Sequence, residues 1–324
     1  MPSTVASSRR TTQRLRRAEP LATVLPVRPW VVAPSGPVGD TAQRRARVRR
    51  ALWRLALQGI EPTIAPDVWR KDGYLAGPDP ARVRALVEAL NADHAFVWAA
   101  RGGYGAMRLL PALDHLLKVR DKAPLFLGFS DLTAVFPLLV RKGFRCVHGP
   151  VLSQVSDLVE SGPAGFTSLT KVLKSHPIPP LTFSTPDPWF GDEIEGPLWG
   201  GNLTLCAALC GTPYSPDYSG AILFLEDVGE PAYRLDRMLT QLELSGVLQA
   251  VQAVLVGDPG VRGSEKKAVE QRLHLIRERW GIPVLTGLPI GHQRRNACLE
   301  VGRTVKLSAT PLKAGKTNIT IRWV

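Results

Sequence analysis

Over its first 150 residues the chain alternates between short, continuously apolar runs and longer segments whose apolar residues recur at helical spacing. The apolar runs are typical of buried strands, and the amphipathic segments are typical of helices that cover a sheet. We expect Asp79 to cap the second helix and Pro137 to kink the fourth. The pattern predicts strands at 23–32, 60–64, 95–100 and 125–127, and helices at 41–58, 80–90, 106–117 and 132–140.

The second half of the chain begins with a change of texture. Residues 151–195 are dominated by Pro, Ser, Gly and Asp, which favours a linker with surface loops. A second domain is expected over 196–324, after an N-terminal domain at 23–150. The pattern predicts helices at 203–210 and 233–244, strands at 221–225, 251–256 and 284–288, and two closing antiparallel strands at 304–308 and 317–323. Strands that alternate with helices indicate an α/β fold built on a parallel sheet.

The charge of the chain is concentrated at its front end. The formal net charge is +13, and residues 1–60 hold twelve arginines against only Glu19 and Asp40. Residues 1–22 are rich in Ser, Thr and Arg and contain no apolar segment of the length that a secretory signal needs. They superficially resemble an organellar presequence, but we interpret them as a disordered basic tail or as the result of a start codon placed too early. A non-enzymatic protein that binds nucleic acid through residues 1–60 is an alternative function, but the remaining chain is only weakly basic and nucleic acid is not the favoured partner.

The other composition data narrow the class of protein. The 324 residues are 44% hydrophobic and 21% charged, as in globular proteins, and no apolar run approaches the roughly 18 residues of a membrane span. The four cysteines show no Cys-x-x-Cys pairing, which favours a reducing, cytoplasmic compartment and core thiols. We expect no structural metal and no cofactor.

Two turns follow predicted strands of the first domain, at the sheet edge where α/β proteins form their sites. Ser130 lies in the turn after the strand at 125–127, so its hydroxyl can be a displayed nucleophile or a simple helix cap. Arg101 to Gly105 contains three glycines in four positions. One turn needs fewer, so this segment predicts a close approach of backbone to another group.

A carboxylate and a histidine end strands of the second domain. Glu226 follows five apolar residues and needs a partner if it is buried, and His292 follows the strand at 284–288. Asp227 is the alternative acid, and His148 lies in an apolar context at the core or its rim. Ser130, Glu226 and His292 could form a triad, in which the acid orients the histidine that serves as the base. Such a triad requires the two domains to meet at the site.

Several motifs, in order and at compatible spacings, resemble the LD-carboxypeptidases, which include muramoyltetrapeptide carboxypeptidases and microcin C immunity peptidases. The resemblance covers roughly residue 31 to the C-terminus. The motifs that carry it are Arg101-Gly102-Gly103-Tyr104-Gly105 with Arg108-Leu109-Leu110, Gly128-Phe129-Ser130-Asp131, Gly196-Pro197-Leu198 with Gly200-Gly201-Asn202-Leu203, Phe224 to Glu230 with Tyr233-Arg234 and Asp236 to Leu239, and Gly291-His292.

The resemblance implies a serine peptidase with Ser130, His292 and Glu226 as its triad and the backbone N–H groups of Gly103 and Asp131 as its oxyanion hole. It implies a Rossmann-like N-terminal domain with a parallel sheet, a C-terminal α/β domain with a mixed sheet, and a homodimer. The implied substrate is a small peptide, the murein tetrapeptide, cut at an L,D-amide bond to release its terminal D-amino acid in peptidoglycan recycling.

A microcin C-type immunity peptidase that cleaves peptidyl or aminoacyl nucleotide analogues is the alternative within the family. In that case Trp189 or Trp199 could stack on a base, although packing between the domains is the simpler interpretation of both side chains.

Overall fold

The structure is a computed structural model that describes residues 26–119, 123–160, 163–174, 177–189, 193–292, 295–312 and 315–324. The basic tail expected over residues 1–22 lies outside these ranges. His176, which is expected at the surface together with His94, His115 and His274 because these four lie among charged residues, is outside the described ranges as well.

Two sheets organise the described part of the chain. Its strands are β1 (Trp30–Val32), β2 (Thr63–Ile64), β3 (Phe96–Ala99), β4 (Leu125–Gly128), β5 (Cys146–His148), β6 (Leu181–Thr185), β7 (Ile194–Asn202), β8 (Ile222–Glu226), β9 (Ala253–Val256), β10 (Val284–Thr286), β11 (Leu299–Val301), β12 (Thr304–Pro311) and β13 (Thr317–Trp323). The first sheet has the order β11-β5-β4-β3-β1-β2, and the second has the order β10-β9-β8-β7-β12-β13-β6.

Strand direction confirms the expected fold class. In the first sheet β5, β4, β3, β1 and β2 are parallel, and only β11 runs antiparallel to its neighbour. In the second sheet β10, β9, β8 and β7 are parallel, whereas β12, β13 and β6 join through antiparallel pairs. The chain is therefore an α/β protein with a mostly parallel N-terminal sheet and a mixed second sheet.

Helices cover these sheets. They are α1 (Ala42–Ala56), α2 (Asp79–Asn91), α3 (Leu110–Leu116), α4 (Phe136–Arg141), α5 (Val155–Glu160), α6 (Pro163–Leu173), α7 (Leu203–Leu209), α8 (Ala232–Leu244), α9 (Val247–Ala250) and α10 (Gly263–Trp280). The arginine-rich α1 shows why they form: the Thr41 hydroxyl accepts a hydrogen bond from the N–H of Arg44, and Val48, Ala51 and Leu55 bury one face. None of the described helices combines the length and apolar composition that a membrane crossing requires.

The stretch 151–195 differs from the expected linker, because it contains α5, α6, β6 and the start of β7. Leu169, Val172 and Leu173 place one face of α6 in the core, and inward residues of β6 alternate with exposed ones. β6 pairs with β13 as the outer strand of the second sheet. Proline-rich connections dominate the composition of this stretch, and they obscure the helical spacing of α6 and the alternation of β6 in the sequence.

Two local expectations were wrong. Asp79 does not cap α2 but is its first residue, and its carboxylate pairs with the guanidinium groups of Arg82 and Arg108. Pro137 does not kink a continuous helix, because a 3-10 turn over Ser130–Ala134 precedes α4 and the proline lies in the first turn of α4. A proline is tolerated there, since first-turn N–H groups have no partner within the helix.

A shared core joins the two sheets. Phe126 and Val97 of the first sheet belong to the same buried apolar cluster as Phe224 and Leu255 of the second. The strand β11, which lies in the chain between β10 and β12 of the second sheet, pairs with β5 of the first sheet so that Leu299 lies opposite His148. Burial on both sides of this junction resists relative movement of the sheets, because separating them would expose apolar surface to water.

Candidate active site

Ser130 occupies a strained turn directly beyond the carboxyl end of β4. It has φ +63°, and no other residue except glycine has a positive φ in the part of the chain that the structure describes. A side chain in this region of φ costs free energy, which persists only when surrounding contacts hold the turn in place. The hydroxyl of Ser130 is thereby turned away from the sheet, at the position of a nucleophile elbow.

His292 lies within hydrogen-bonding distance of Ser130. The His292 Nε2 atom is 3.0 Å from Ser130 Oγ, across 162 residues of sequence. The imidazole also packs against the ring of Phe129, with 4.4 Å between ring centroids. Its loop is held by a hydrogen bond from the N–H of Gly291 to Asn296 Oδ1 at 3.1 Å. The ring is therefore held on the side that faces the serine hydroxyl.

Glu226 contacts the other nitrogen of the same imidazole. The His292 Nδ1 atom lies 2.9 Å from Glu226 Oε2, and the carboxyl group is buried at the end of β8. Burial raises the pKa of the Glu226 carboxyl above its usual range, while the hydrogen bond to His292 acts in the opposite direction. The approach is tight, since a Cβ added at Gly291 would come within 3.2 Å of Glu226 Oε2.

Asp227, the alternative acid, is engaged elsewhere. Its Oδ2 atom accepts hydrogen bonds from the N–H and the hydroxyl of Thr204, both at 2.9 Å, and its Oδ1 atom accepts one from the N–H of Val228 at 2.7 Å. These contacts place its charge at the beginning of α7, where an anion is favoured. The geometry thus pairs Glu226, and not Asp227, with His292.

The glycine turn after β3 lies directly against Ser130. A Cβ added at Gly102 would come within 2.9 Å of Ser130 Cβ, so only glycine allows this approach. Gly103 has φ +119°, and its N–H has no backbone acceptor within the described ranges. Asp131 is buried and its Oδ2 atom accepts a hydrogen bond from the N–H of Ala106 at 2.8 Å, which joins the two turns. Burial raises the pKa of the Asp131 carboxyl.

Thr133, which no sequence pattern singles out, connects the serine turn to the second sheet. Its Oγ1 atom accepts a hydrogen bond from the N–H of Asn202 at 3.0 Å, and Asn202 pairs in register with Glu226. A Cβ added at Gly201 would lie 2.3 Å from Thr133 Oγ1. The pair of glycines at 200–201 was the available signal, because it allows two backbones to approach each other closely.

His148 is completely buried behind the candidate site. Its ring packs edge-on against Phe129, Phe136 and Phe224, and neither ring nitrogen has a hydrogen-bond partner within the described residues. Burial lowers the pKa of His148 to about 3, so the ring is neutral near neutral pH. His115 and His274 are exposed, and His94 stacks on Trp30.

The two tryptophans considered for base stacking are both partly buried against the core. Trp199 packs on the core shared by the two sheets and on a second apolar cluster around Leu223 and Val254, and Trp189 packs on the shared core. The described residues contain no cluster of three or more His, Cys, Asp or Glu side chains arranged to hold a metal ion.

The three side chains form one continuous chain of hydrogen bonds, Ser130 to His292 to Glu226. A histidine held in this way can accept the proton of the serine hydroxyl, and the carboxylate then stabilises the imidazolium that forms. The residues come from both sheets, as the expected site between domains requires. The arrangement is chemically suited to acyl transfer through a serine ester.

Two protein-family models match the chain and together cover most of its length. Residues 30–149 match the model described as the LD-carboxypeptidase N-terminal domain, and residues 195–307 match the model described as the LD-carboxypeptidase C-terminal domain. The two matches contain all three side chains of the hydrogen-bonded chain.

Individual relatives agree with these matches. The chain is 35% identical to a putative carboxypeptidase of Synechocystis sp. over 87% of this chain and 93% of that protein. It is 32% identical to the murein tetrapeptide carboxypeptidase of Pseudomonas aeruginosa over 81% of this chain and 88% of the relative. The crystal structure of muramoyltetrapeptide carboxypeptidase from Oxalobacter formigenes aligns with a TM-score of 0.72 and 33% identity, covering 90% of this chain and 98% of that one.

Proposed function

The chain belongs to the LD-carboxypeptidase family, and on that premise we propose that it is a serine carboxypeptidase acting on murein tetrapeptides. The reaction is hydrolysis of the amide bond between an L-configured centre and the terminal D-amino acid, which is released. The observation that carries this proposal is the hydrogen-bonded chain from Ser130 Oγ through His292 to Glu226. The relative of P. aeruginosa named murein tetrapeptide carboxypeptidase supports the choice of substrate.

The first half of the proposed reaction forms an acyl-enzyme. His292 Nε2 removes the proton of Ser130 as Oγ attacks the scissile carbonyl carbon, which gives a tetrahedral oxyanion. When this intermediate collapses, the carbon–nitrogen bond breaks and His292 returns the proton to the departing amine. The D-amino acid leaves with a neutral amino group, and the shortened peptide remains esterified to Ser130.

The second half regenerates the serine. His292 accepts a proton from a water molecule, whose oxygen attacks the ester carbonyl carbon. The ester carbon–oxygen bond then breaks, and the proton on His292 passes to Ser130 Oγ. The products are the free carboxylic acid of the shortened peptide and the enzyme in its starting state.

The backbone N–H groups of Gly103 and Asp131 are the proposed oxyanion hole. Gly103 lies in the turn that packs on Ser130, and Asp131 follows the serine directly. Donors that are already oriented stabilise the tetrahedral oxyanion without reorganisation, an effect on the order of 3 kcal/mol for each donor. The buried hydrogen bond between Asp131 and Ala106 holds the two turns in their relative positions.

Glu226 keeps His292 ready for proton transfer in this proposal. Its contact with Nδ1 selects the tautomer in which Nε2 is unprotonated and faces Ser130. Because burial raises the pKa of Glu226, its ionised form depends on this partner. The imidazolium that forms during catalysis favours the ionised carboxylate further.

Incubation with murein tetrapeptide, followed by mass spectrometry, tests the proposal. The expected products are the tripeptide and the free terminal D-amino acid, and an all-L tetrapeptide should remain intact. A parallel incubation with an aminoacyl-sulfamoyl adenylate tests the microcin-type alternative. Cleavage of the adenylate alone would replace the proposed substrate, and cleavage of neither compound by folded protein would overturn the proposed activity.

A homodimer and a cytoplasmic location complete the proposal, because the family resemblance and the free cysteines of the described residues favour them. Sedimentation equilibrium of the purified chain measures the first. Fractionation of the producing cells measures the second. A monomer at micromolar concentration, or recovery outside the cytoplasm, would contradict the respective part.

A further inference from the structure

Arg101 lies in the same turn as the proposed oxyanion donor. It follows the carboxyl end of β3 and precedes Gly102, the residue that packs on Ser130. A Cβ added at Gly36 would come within 2.9 Å of Arg101 Nη1, and one added at Gly103 would come within 3.7 Å of the same atom. The guanidinium therefore borders the end of β1, one strand beyond the glycine turn.

The positive charge of Arg101 is only partly compensated by neighbouring groups. Within the described ranges its guanidinium makes one hydrogen bond, from Nη1 to the carbonyl oxygen of Pro37 at 3.1 Å, and it has no salt bridge. The nearest acid, Asp40, is already paired with Arg44. Burial lowers the pKa of Arg101, the positive charge of Arg44 adds to this effect, and Asp40 offsets only part of it.

Another arginine at the same sheet edge shows the contrast. Arg82 is buried, whereas Arg101 is half-buried, and Arg82 donates to the carbonyl oxygens of Pro34, Gly77 and Gly105 and to the carboxylate of Asp79. A guanidinium offers five N–H donors in a planar fork that matches a carboxylate. Arg82 has its partners within the protein, whereas Arg101 retains donors and charge for an anion from outside.

The substrate of a carboxypeptidase brings such an anion to this place. Its terminal carboxylate carbon is only two bonds from the scissile nitrogen, so it lies near Ser130 and the glycine turn whenever the carbonyl is in position for attack. We propose that Arg101 binds the terminal carboxylate of the peptide and so restricts cleavage to the last residue. This inference rests on the proposed function and assigns the specificity for a free C-terminus to one side chain.

A pair of matched substrates tests the role of Arg101. The kinetics of wild type and of Arg101→Met are measured on the tetrapeptide and on the same peptide with a C-terminal amide, which removes the anion. For the free acid, Arg101→Met should lower kcat/KM on the order of 100-fold, mainly through KM, because charge-assisted hydrogen bonds are lost. For the amide, which wild type should cleave poorly, the substitution should change kcat/KM by less than about 3-fold.

Two further variants separate recognition from structure. Arg45 also donates a hydrogen bond to the backbone after β1, from Nε to the carbonyl oxygen of Gly39 at 2.6 Å, so Arg45→Met is the matched control. It should keep the preference of wild type for the free acid. Arg101→Lys retains the charge without the planar fork of donors and should lose part of this preference. Thermal unfolding shows whether Arg101→Met folds. If it does not fold, the acid preference of Arg101→Lys tests the role of Arg101.

The outcomes are distinct. Equal losses of Arg101→Met and Arg101→Lys on the acid and on the amide would show a structural role and overturn this inference while the proposed function stands. An unchanged preference for the acid would overturn it as well. If folded wild type cleaves neither peptide, the proposed function fails and this inference fails with it.

Discussion

The hydroxyl oxygen of Thr133 accepts a hydrogen bond from the backbone N–H of Asn202 at 3.0 Å, although 69 residues separate the two in sequence. Thr133 lies in the 3-10 turn that begins at Ser130, and Asn202 ends β7 beside Glu226. The bond links the strained serine turn to the strand pair that holds the buried carboxylate. The relative position of the proposed nucleophile and acid thus depends on a contact between the two sheets.

Gly201→Ala should disrupt this contact. Gly201 has φ +138°, and the added Cβ would lie 2.3 Å from Thr133 Oγ1, so the backbones of β7 and the serine turn must separate. We expect the free energy of unfolding to decrease, and this decrease should exceed that of the control described next by at least about 2 kcal/mol. We also expect a loss of activity, because the serine turn moves with Thr133. Chemical denaturation and steady-state kinetics measure the two effects.

Gly211→Ala is the matched control for that substitution. Gly211 also has a positive φ, +80°, but a Cβ there meets nothing within 4 Å. Its cost is the backbone strain alone, about 1–2 kcal/mol, with activity retained. If the two alanine variants lose the same free energy of unfolding, the close contact at Gly201 has no special role.

Ser130→Ala should abolish turnover while the fold survives. Loss of the nucleophile lowers kcat by on the order of 10⁴-fold or more, whereas among the described residues the hydroxyl makes a single hydrogen bond, to His292. At a φ of +63° alanine is strained and glycine is not. Ser130→Gly should therefore be more stable than Ser130→Ala by about 1 kcal/mol, and it should be inactive as well because it also lacks the hydroxyl. Turnover near the wild-type rate in either variant would exclude Ser130 as the nucleophile.

Glu226→Gln and Asp227→Asn should have different effects on catalysis. The amide at 226 can no longer stabilise the imidazolium and favours the wrong tautomer of His292, so kcat should fall on the order of 10³- to 10⁴-fold. Asp227 contacts Thr204 and Val228 instead, so Asp227→Asn should mainly affect stability. Comparison of kcat with the free energy of unfolding distinguishes them. If Asp227→Asn lowered kcat more than Glu226→Gln, Asp227 would replace Glu226 as the acid of the triad.

His148 should make the protein less stable in acid. Its pKa in the folded protein is about 3 against an ordinary value of 6.5, so between these values the unfolded chain binds a proton that the folded protein does not. This contribution to stability is complete above pH 6.5 and is lost at about 1.4 kcal/mol per pH unit as the pH falls toward 3.

His148→Leu should remove that dependence. Urea unfolding at pH 7, 6 and 5 should show that the free energy of unfolding of the variant rises relative to that of wild type as the pH decreases. His115→Leu, at an exposed histidine, is the control. Parallel curves for wild type and His148→Leu would mean that the buried ring is protonated in the folded protein.

Acid should also reduce activity through a separate group. His292 must accept a proton from Ser130, and a protonated ring cannot do so. The activity of wild type and of His148→Leu should therefore fall together as the pH decreases, at pH values where both remain folded. A variant that retains full activity in acid would show that His148, and not His292, controls the acidic limb.

The described strands and helices show where hydrophobic patterning predicts secondary structure correctly. The runs at Phe96–Ala99, Leu125–Gly128 and Ile222–Glu226 are apolar because parallel strands are buried on both faces, and all three were predicted within one or two residues. The helix α10 was overlooked, although Val269, Leu273 and Ile276 recur at helical spacing. Its many charged residues obscured a narrow apolar stripe.

By itself, the order of residues determined the α/β class, the serine turn and the candidates Ser130, Glu226 and His292, because local periodicity and turn chemistry are encoded within short segments. Only the tertiary structure decided which acid meets the histidine. Glu226 and Asp227 are neighbours with the same chemistry, and successive side chains at a strand end point in opposite directions. The contacts of Asp227 with Thr204, and of Glu226 with His292, arise from packing between elements far apart in sequence, which no local pattern contains.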